Sequence, residues 1–309
     1  FESRKRQDFY KKHQILHQES YSKNHQNMEI FTQTWQPADP SLKLQGVVAM
    51  IHGYTSESSW LFELNAVAME RAGFVCCAMD LRGHGFSEGP RDHVSDINPM
   101  VSDFLHFKPV PTHYVHPNLP RFLYGESLGG AIAIIICLQQ KKEWKGLILS
   151  GAMCEISSKF KPVWPLEKLL LVAAYVAPSW RIVITSAPLS KAYMEDWKRK
   201  LAENSPNRRT SGKPTAASAL QFMRTCENIK RSCHLLEVPL LVMHGGDDII
   251  CDPQGAKYLY ETASSKDKSL KIFGGVWHQL IGEPNESAER IFNTMMEWIE
   301  VRADSTLSK

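Results

Sequence analysis

From about residue 28 onward, hydrophobic positions fall into two alternating rhythms. Short apolar or two-residue-period runs bounded by Gly, Pro and Asp are separated by longer stretches with apolar residues three and four apart. Met28–Trp35 alternates as an early strand, while Gln45–Ile51 and Phe74–Met79 are apolar almost throughout, as strands covered on both faces are. Arg121–Tyr124, Trp144–Leu149, Pro239–Met243 and Leu270–Phe273 complete the predicted strands. Helices are predicted over Trp60–Ala72, ended by Gly73, over Val94–Phe107, stopped by Pro109 and Pro111, and over Leu128–Gln140. Asp252 and Pro253 read as the cap and first-turn proline of a further helix, and Ile291, Met295, Met296 and Ile299 give the last one an apolar face. Strand followed by helix, repeated, predicts right-handed parallel crossovers. The fold class is therefore α/β, a mostly parallel central sheet with helices on both faces.

Two stretches break the rhythm. Residues 1–26 are basic and rich in Gln and His with few apolar positions, which predicts a solvated extension, at most a helical arm outside the core. Residues 154–234 carry Trp, Pro, Lys and Leu-rich helical patterns and no buried strand until Val238, which predicts an inserted helical cap. The chain thus divides into the extension 1–26, a first core part 27–153, the cap 154–234 and a second core part 235–309.

Composition narrows the classes. At 309 residues, 43% hydrophobic and 22% charged, the chain has ordinary globular usage. Lys+Arg 36 against Asp+Glu 33 leaves a formal charge of +3, too even for a nucleic-acid partner to be expected. The seven cysteines are an odd number at irregular spacings without a C-x-x-C pair, favouring a reducing, cytoplasmic compartment over disulfide or zinc chemistry. The apolar stretches Leu128–Leu138 and Leu169–Pro178 fall short of the ~18–20 residues that span a bilayer.

The sharpest chemical signal is Gly125-Glu126-Ser127-Leu128-Gly129-Gly130, a G-x-S-x-G pentapeptide between an apolar strand and a helix. At such a turn a serine is held in a strained conformation with its hydroxyl raised above the sheet, and the helix N-terminus faces developing negative charge. Serine needs an imidazole to take its proton and a carboxylate to orient that imidazole. Downstream, His244-Gly245-Gly246-Asp247-Asp248 follows a strand; Asp248 is the preferred orienting acid, Asp247 the adjacent alternative, and Asp252 fits better as a helix cap. His278 is the one histidine beyond His244, and it too follows a strand, so the order Ser127, Asp248, His278 is the hydrolase order. Oxyanion donors are expected at the backbone N–H of Leu128 and, in His52-Gly53-Tyr54-Thr55, of Tyr54. The glycines of Asp80–Gly89 are spaced G-x-G-x-x-x-G with no helix opening at them, so that segment reads as a structural turn rather than a dinucleotide site. Neither a phosphate loop nor H-E-x-x-H is present, and no metal or organic cofactor is implied.

Together these residues resemble one family, the α/β-hydrolases of the monoacylglycerol lipase type, and within it the plant branch that includes caffeoylshikimate esterase. The resemblance spans nearly the whole chain and rests on FTQTWQP, MIHGY, DLRGHGFSEG, FLYGESLGG, MHGGDD followed by DP, ETASSKDKSLKIF and WHQLIGEP. ESLGG stands where the family often has ESMGG, which leaves the backbone donor intact. The resemblance implies an α/β-hydrolase fold with Ser127 as nucleophile, Asp248 as acid, His278 as base, and Tyr54 and Leu128 as oxyanion donors. It further implies a small-molecule or lipid ester as substrate: monoacylglycerol or lysophospholipid, or in the caffeoylshikimate branch a hydroxycinnamoyl ester. Acyl transfer through the same three residues, and ligand sensing by a hydrolase-fold receptor, stay open at this level. Trp164, Leu169, Leu170, Leu171, Tyr175 and Trp180 in the cap could line an acyl pocket, touch a lipid surface as a peripheral membrane contact, or simply pack the cap on the core.

Overall fold

The computed structural model describes residues 2–59, 61–107, 119–159, 161, 166–181, 191–205 and 213–307. Eight strands form one sheet: β1 (Ile15–Lys23), β2 (Glu29–Pro37), β3 (Gly46–Ile51), β4 (Phe74–Met79), β5 (Arg121–Glu126), β6 (Gly146–Ser150), β7 (Leu240–Gly245) and β8 (Lys268–Phe273), in the order β1-β2-β4-β3-β5-β6-β7-β8. The first two are antiparallel to their neighbours and the other six parallel, which is the mostly parallel sheet expected.

Nine helices accompany the sheet among the described residues: α1 (Glu2–Lys12), α2 (Glu63–Arg71), α3 (Asn98–Phe107), α4 (Leu128–Gln139), α5 (Leu166–Val176), α6 (Asp196–Glu203), α7 (Ala216–Ser232), α8 (Pro253–Thr262) and α9 (Asn285–Leu307). Alternation along the central strands explains why their runs are apolar throughout. Ala49, Ile51, Leu123 and Leu149 pack on the side of α3, α4, α7 and α8, whereas Val48, Met50, Phe122 and Tyr124 pack on the side of α1, α2 and α9. Ile291, Met295 and Ile299 are the buried stripe of α9, as their spacing predicts. Asp252 caps α8, its carboxylate accepting the Gln254 N–H at 2.9 Å, with Pro253 in the first turn.

Two expectations need correction. The stretch 1–26 is not a solvated extension: β1 pairs with β2 over its full length, from Ile15 opposite Pro37 to Lys23 opposite Glu29, and Tyr10 and Ile15 are core residues. Its apolar content is low because an edge strand contributes backbone hydrogen bonds, while most β1 side chains stay exposed or half-buried. The helix expected from Val94 begins at Asn98, whose N–H is accepted by Asp96 at 3.0 Å; Val94 instead gives its N–H to Ser218 Oγ in α7 at 2.8 Å. The expected start of α2 at Trp60 and the stop at Pro109 and Pro111 lie outside the described residues.

Between β6 and β7 the described residues form α5, α6 and α7, with β contact confined to isolated bridges at Ile156–Cys251 and Arg181–Thr215. Leu170 packs on Ala216 and Ala219, joining α5 to α7, and Phe222 and Ile229 of α7 enter the sheet core. Leu169, Leu171, Tyr175 and Trp180 are exposed, and Trp164 lies outside the described residues.

Candidate active site

Everything needed to present Ser127 is local to the β5–α4 turn. Ser127 has φ 52° and ψ −117°, a conformation that a non-glycine residue adopts only when its surroundings enforce it, at a cost of about 1–3 kcal/mol. Here its N–H donates to Ser150 O at 3.1 Å, and its carbonyl accepts from Gly130, Ala131 and Met153 N–H groups. The flanking glycines permit the approach. A Cβ on Gly125 would stand 2.6 Å from Gly129 O, and one on Gly129 would stand 2.5 Å from His52 O and closer still to Ile51 O.

The loops after β7 and β8 bring two further side chains to the serine. His278 Nε2 lies 3.0 Å from Ser127 Oγ, and His278 Nδ1 lies 2.7 Å from Asp248 Oδ2. A carboxylate accepts, so Nδ1 carries the proton toward Asp248 and Nε2 is left to receive one from the serine. Asp248 is fixed by its other oxygen, which accepts the Ile250 and Cys251 N–H groups at 2.8 and 3.0 Å. The β8 loop is tied down as well: Asp247 N–H donates to Val276 O at 3.0 Å and Trp277 N–H to Glu283 Oε1 at 2.8 Å.

Burial by itself would push the His278 pKa down, but the Asp248 carboxylate, through charge and hydrogen bond, with help from Glu126, outweighs it and raises the imidazole above its ordinary range. Burial would likewise raise Asp248, yet His278 and His244 hold its carboxyl far below the usual carboxylate range. The result is an ionised acid beside an imidazole poised to accept a proton.

His52-Gly53-Tyr54-Thr55 passes directly against Ser127: a Cβ on Gly53 would lie 3.1 Å from Ser127 Cβ. Tyr54 is anchored by its hydroxyl donating to Asp92 O at 2.6 Å and by an edge contact to Phe222, and Thr55 takes φ 56°. Leu128 opens α4, where a first-turn N–H has no intrahelical acceptor. Behind this loop the Asp80–Gly89 turn is structural: Asp80 accepts from Ser58 N–H and Oγ–H, both at 2.7 Å, and from Phe86 N–H at 2.9 Å.

Of the acidic alternatives, Asp247 is exposed and Asp252 is engaged as a helix cap, so Asp248 is the one that meets His278. Sequence reasoning passed over several residues that crowd the site. Fully buried His244 places Nε2 3.1 Å from Asp248 Oδ2 and 3.2 Å from Cys251 O; since a carbonyl only accepts, Nε2 is the protonated nitrogen. Burial drives the pKa of the Cys251 thiol far up, against a smaller lowering by Ser127, so it stays a neutral thiol. Glu126 is buried beside Ser127, its pKa raised by burial and partly restored by Gln279, His278 and Tyr124. The motifs MHGGDD and GES held these residues, but only the fold shows that they converge. Among the described residues no cluster of His, Cys, Asp and Glu has the makings of a metal site. No described helix is long and apolar enough to cross a membrane.

Comparison with known proteins fits this geometry. The sequence profile of the Hydrolase_4 family, described as serine aminopeptidase, S33, matches residues 43–285. Caffeoylshikimate esterase of Arabidopsis thaliana is 33% identical over 310 residues, covering 98% of this chain and 91% of that protein. Monoglyceride lipase of Homo sapiens is 29% identical over 279 residues, covering 88% of this chain and 87% of that protein. Among solved structures, a soluble variant of monoglyceride lipase from Saccharomyces cerevisiae, bound to a substrate analog, superposes with TM-score 0.80 at 23% identity over 92% of this chain and 94% of that one, which shows a shared fold. The chain belongs to the Hydrolase_4 family and is built on the α/β-hydrolase fold.

Proposed function

We propose that this chain, a hydrolase of the monoacylglycerol lipase and caffeoylshikimate esterase kind, cleaves carboxylic esters through an acyl-enzyme on Ser127. As Ser127 Oγ attacks the ester carbonyl, His278 Nε2 takes its proton; the tetrahedral intermediate collapses, the bond to the alcohol oxygen breaks, and His278 returns the proton to the leaving alcohol. Water, deprotonated by His278, then attacks the acyl carbonyl, and the acid leaves as Ser127 regains its proton. Asp248 holds the imidazole in the required tautomer and stabilises its charged form. The Tyr54 and Leu128 N–H groups hold the oxyanion in both tetrahedral states.

The observation that carries this reading is the unbroken chain Ser127 Oγ, His278 and Asp248, with contacts of 3.0 and 2.7 Å, on a serine at positive φ. The substrate is an ester with an apolar acyl or hydroxycinnamoyl half, either a monoacylglycerol or lysophospholipid or a caffeoylshikimate-like ester. The exposed Leu169, Leu171, Val172, Tyr175 and Val176 on α5 support a peripheral lipid contact through a cap formed by the segment between β6 and β7. Steady-state hydrolysis of a monoacylglycerol, a lysophospholipid, caffeoylshikimate and a short p-nitrophenyl ester by the parent protein and Ser127→Ala tests the reading. Turnover that disappears in the variant is expected, and the best natural ester names the substrate class. Turnover retained in the variant, or absent for every ester in the parent, contradicts it.

A further inference from the structure

In the mechanism above Tyr54 contributes only its backbone N–H, yet its side chain is gripped from outside its own loop. The ring stands edge-on to Phe222 of α7, centroids 4.9 Å apart, and edge-on to His84 of the Asp80–Gly89 turn at 5.6 Å. The hydroxyl donates to Asp92 O at 2.6 Å. Asp92 is buried and takes φ 50°, a left-handed backbone that few residues other than glycine adopt.

The segment between β6 and β7 holds that stretch in place. Fully buried Ser218, in the first turn of α7, accepts the Val94 N–H on its Oγ at 2.8 Å, and the same Oγ lies 3.5 Å from Asp92 O. His93 Nδ1 is 3.0 Å from the hydroxyl oxygen of Thr215, the N-cap of α7. Arg181, bridged to Thr215, donates from Nη2 to Arg91 O at 3.0 Å and from Nη1 to Lys213 O at 2.7 Å, with Asp92 Oδ2 4.0 Å away. Each of residues 91–94 therefore makes a polar contact with Arg181, Thr215 or Ser218. The far end of the Tyr54 loop has a separate anchor, Ser58 on Asp80. At the near end, a line of contacts runs from Arg181 through residues 91 and 92 to the Tyr54 hydroxyl, beside Ser127. An oxyanion donor acts only if it is already aimed, and a displacement of about 1 Å costs up to about 100-fold in rate.

We propose that Arg181 is a positioning residue for the oxyanion site: by clasping residues 91 and 92 it fixes the Tyr54 hydroxyl, and through it the Tyr54 N–H. The inference rests on the acyl-enzyme reading above and adds to it a dependence of the reaction on how the segment between β6 and β7 is seated. Arg181 touches neither Ser127 nor His278, and it acts only through Asp92 and Tyr54.

The test compares the parent with Arg181→Met, Tyr54→Phe and the double variant, using a short p-nitrophenyl ester and an alkyl trifluoromethyl ketone. The ketone adds to the serine and places its oxyanion where that of the tetrahedral intermediate would stand. In Arg181→Met kcat is expected to fall about 10-fold with KM within about threefold, and affinity for the ketone to fall by the same factor as kcat, because an oxyanion donor is felt in the transition state and not in the ground state. Tyr54→Phe should lose a similar factor, and the double variant no more than the worse single one, since both substitutions cut one line of contacts. An unchanged kcat in folded Arg181→Met, a change in KM alone, a fall in kcat without loss of ketone affinity, or losses that multiply in the double variant overturn the inference and leave the esterase reading intact. A parent that turns over no ester overturns both. Should Arg181→Met fail to fold, Tyr54→Phe decides: a kcat and ketone affinity equal to the parent's overturn the inference.

Discussion

The N-terminal stretch Glu2–Lys23 and the strand-turn-helix Arg121–Gln139 contribute to the same sheet and core, yet their sequences look nothing alike. In β5 and α4 nearly every side chain is apolar and buried, and the one polar turn between them carries Ser127. In α1 and β1 the chain is mostly polar, and it is held by a directed network. The Arg6 guanidinium donates to Glu63 at 2.7 Å and to Gln33 at 2.8 Å, and Tyr10 donates its hydroxyl to Glu63 at 2.8 Å while accepting from Trp35. Gln33 in turn donates to Ser58 and Ser59 at 2.6 and 3.1 Å, in the loop that also carries Tyr54. The two regions show two ways of ordering a site. One presents the reacting atom through close packing; the other braces the facing loop through partnered polar groups that have no meaning until the partners are assembled.

Four outcomes sharpen or break that contrast. Asp248→Asn leaves the packing in place but removes the carboxylate that orients His278, and kcat is expected to fall on the order of 10⁴-fold with the circular dichroism spectrum unchanged. Gly129→Ala drives a Cβ against the carbonyls of Ile51 and His52, and urea melts are expected to show a loss on the order of 3 kcal/mol. Arg6→Ala leaves the half-buried Glu63 carboxylate with only the Tyr10 hydroxyl and frees Gln33, for an expected loss of about 1 kcal/mol and a lower kcat with little change in KM. If Arg6→Ala alters neither stability nor kcat, the N-terminal brace is only a surface decoration.

The smallest effect concerns pH. In the proposed mechanism His278 must be neutral to act as base, so kcat/KM is expected to fall as pH drops through its raised pKa; Asp248→Asn removes the main cause of that rise, and the residual activity should keep its acid limb at lower pH. The same shift bears on stability. A histidine raised in the folded state stabilises it fully below the unfolded pKa, and that contribution fades as pH climbs through the folded value. The Asp248–His278 pair should therefore stabilise the fold most on the acid side of the ordinary histidine range.

The contrast also explains what could be read from the sequence. Runs such as Gln45–Ile51 and Phe74–Met79 identify buried strands because a strand covered on both faces needs apolar residues at every position. GESLGG between strand and helix marks Ser127 for a local reason, and the spacing of Asp248 and His278 after strands points to the loops that meet it. Residues 1–26 were misjudged because β1 is secured by backbone pairing with β2 and Arg6 by partners as far away as Glu63, neither of which leaves a periodic signature. His244 and Gln279 were missed for the same reason. Their relation to Asp248 and Glu126 exists only once the loops after β5, β7 and β8 converge.

The most direct test of the account is intact-mass and peptide mapping of the parent and Ser127→Ala after treatment with an alkyl fluorophosphonate, alongside the p-nitrophenol burst from a p-nitrophenyl ester. The account predicts one phosphonyl adduct per chain on the peptide carrying Ser127, a burst of about one equivalent, and neither signal in Ser127→Ala. Ester turnover by a parent that stays unmodified at Ser127, or a burst that survives the substitution, would contradict it.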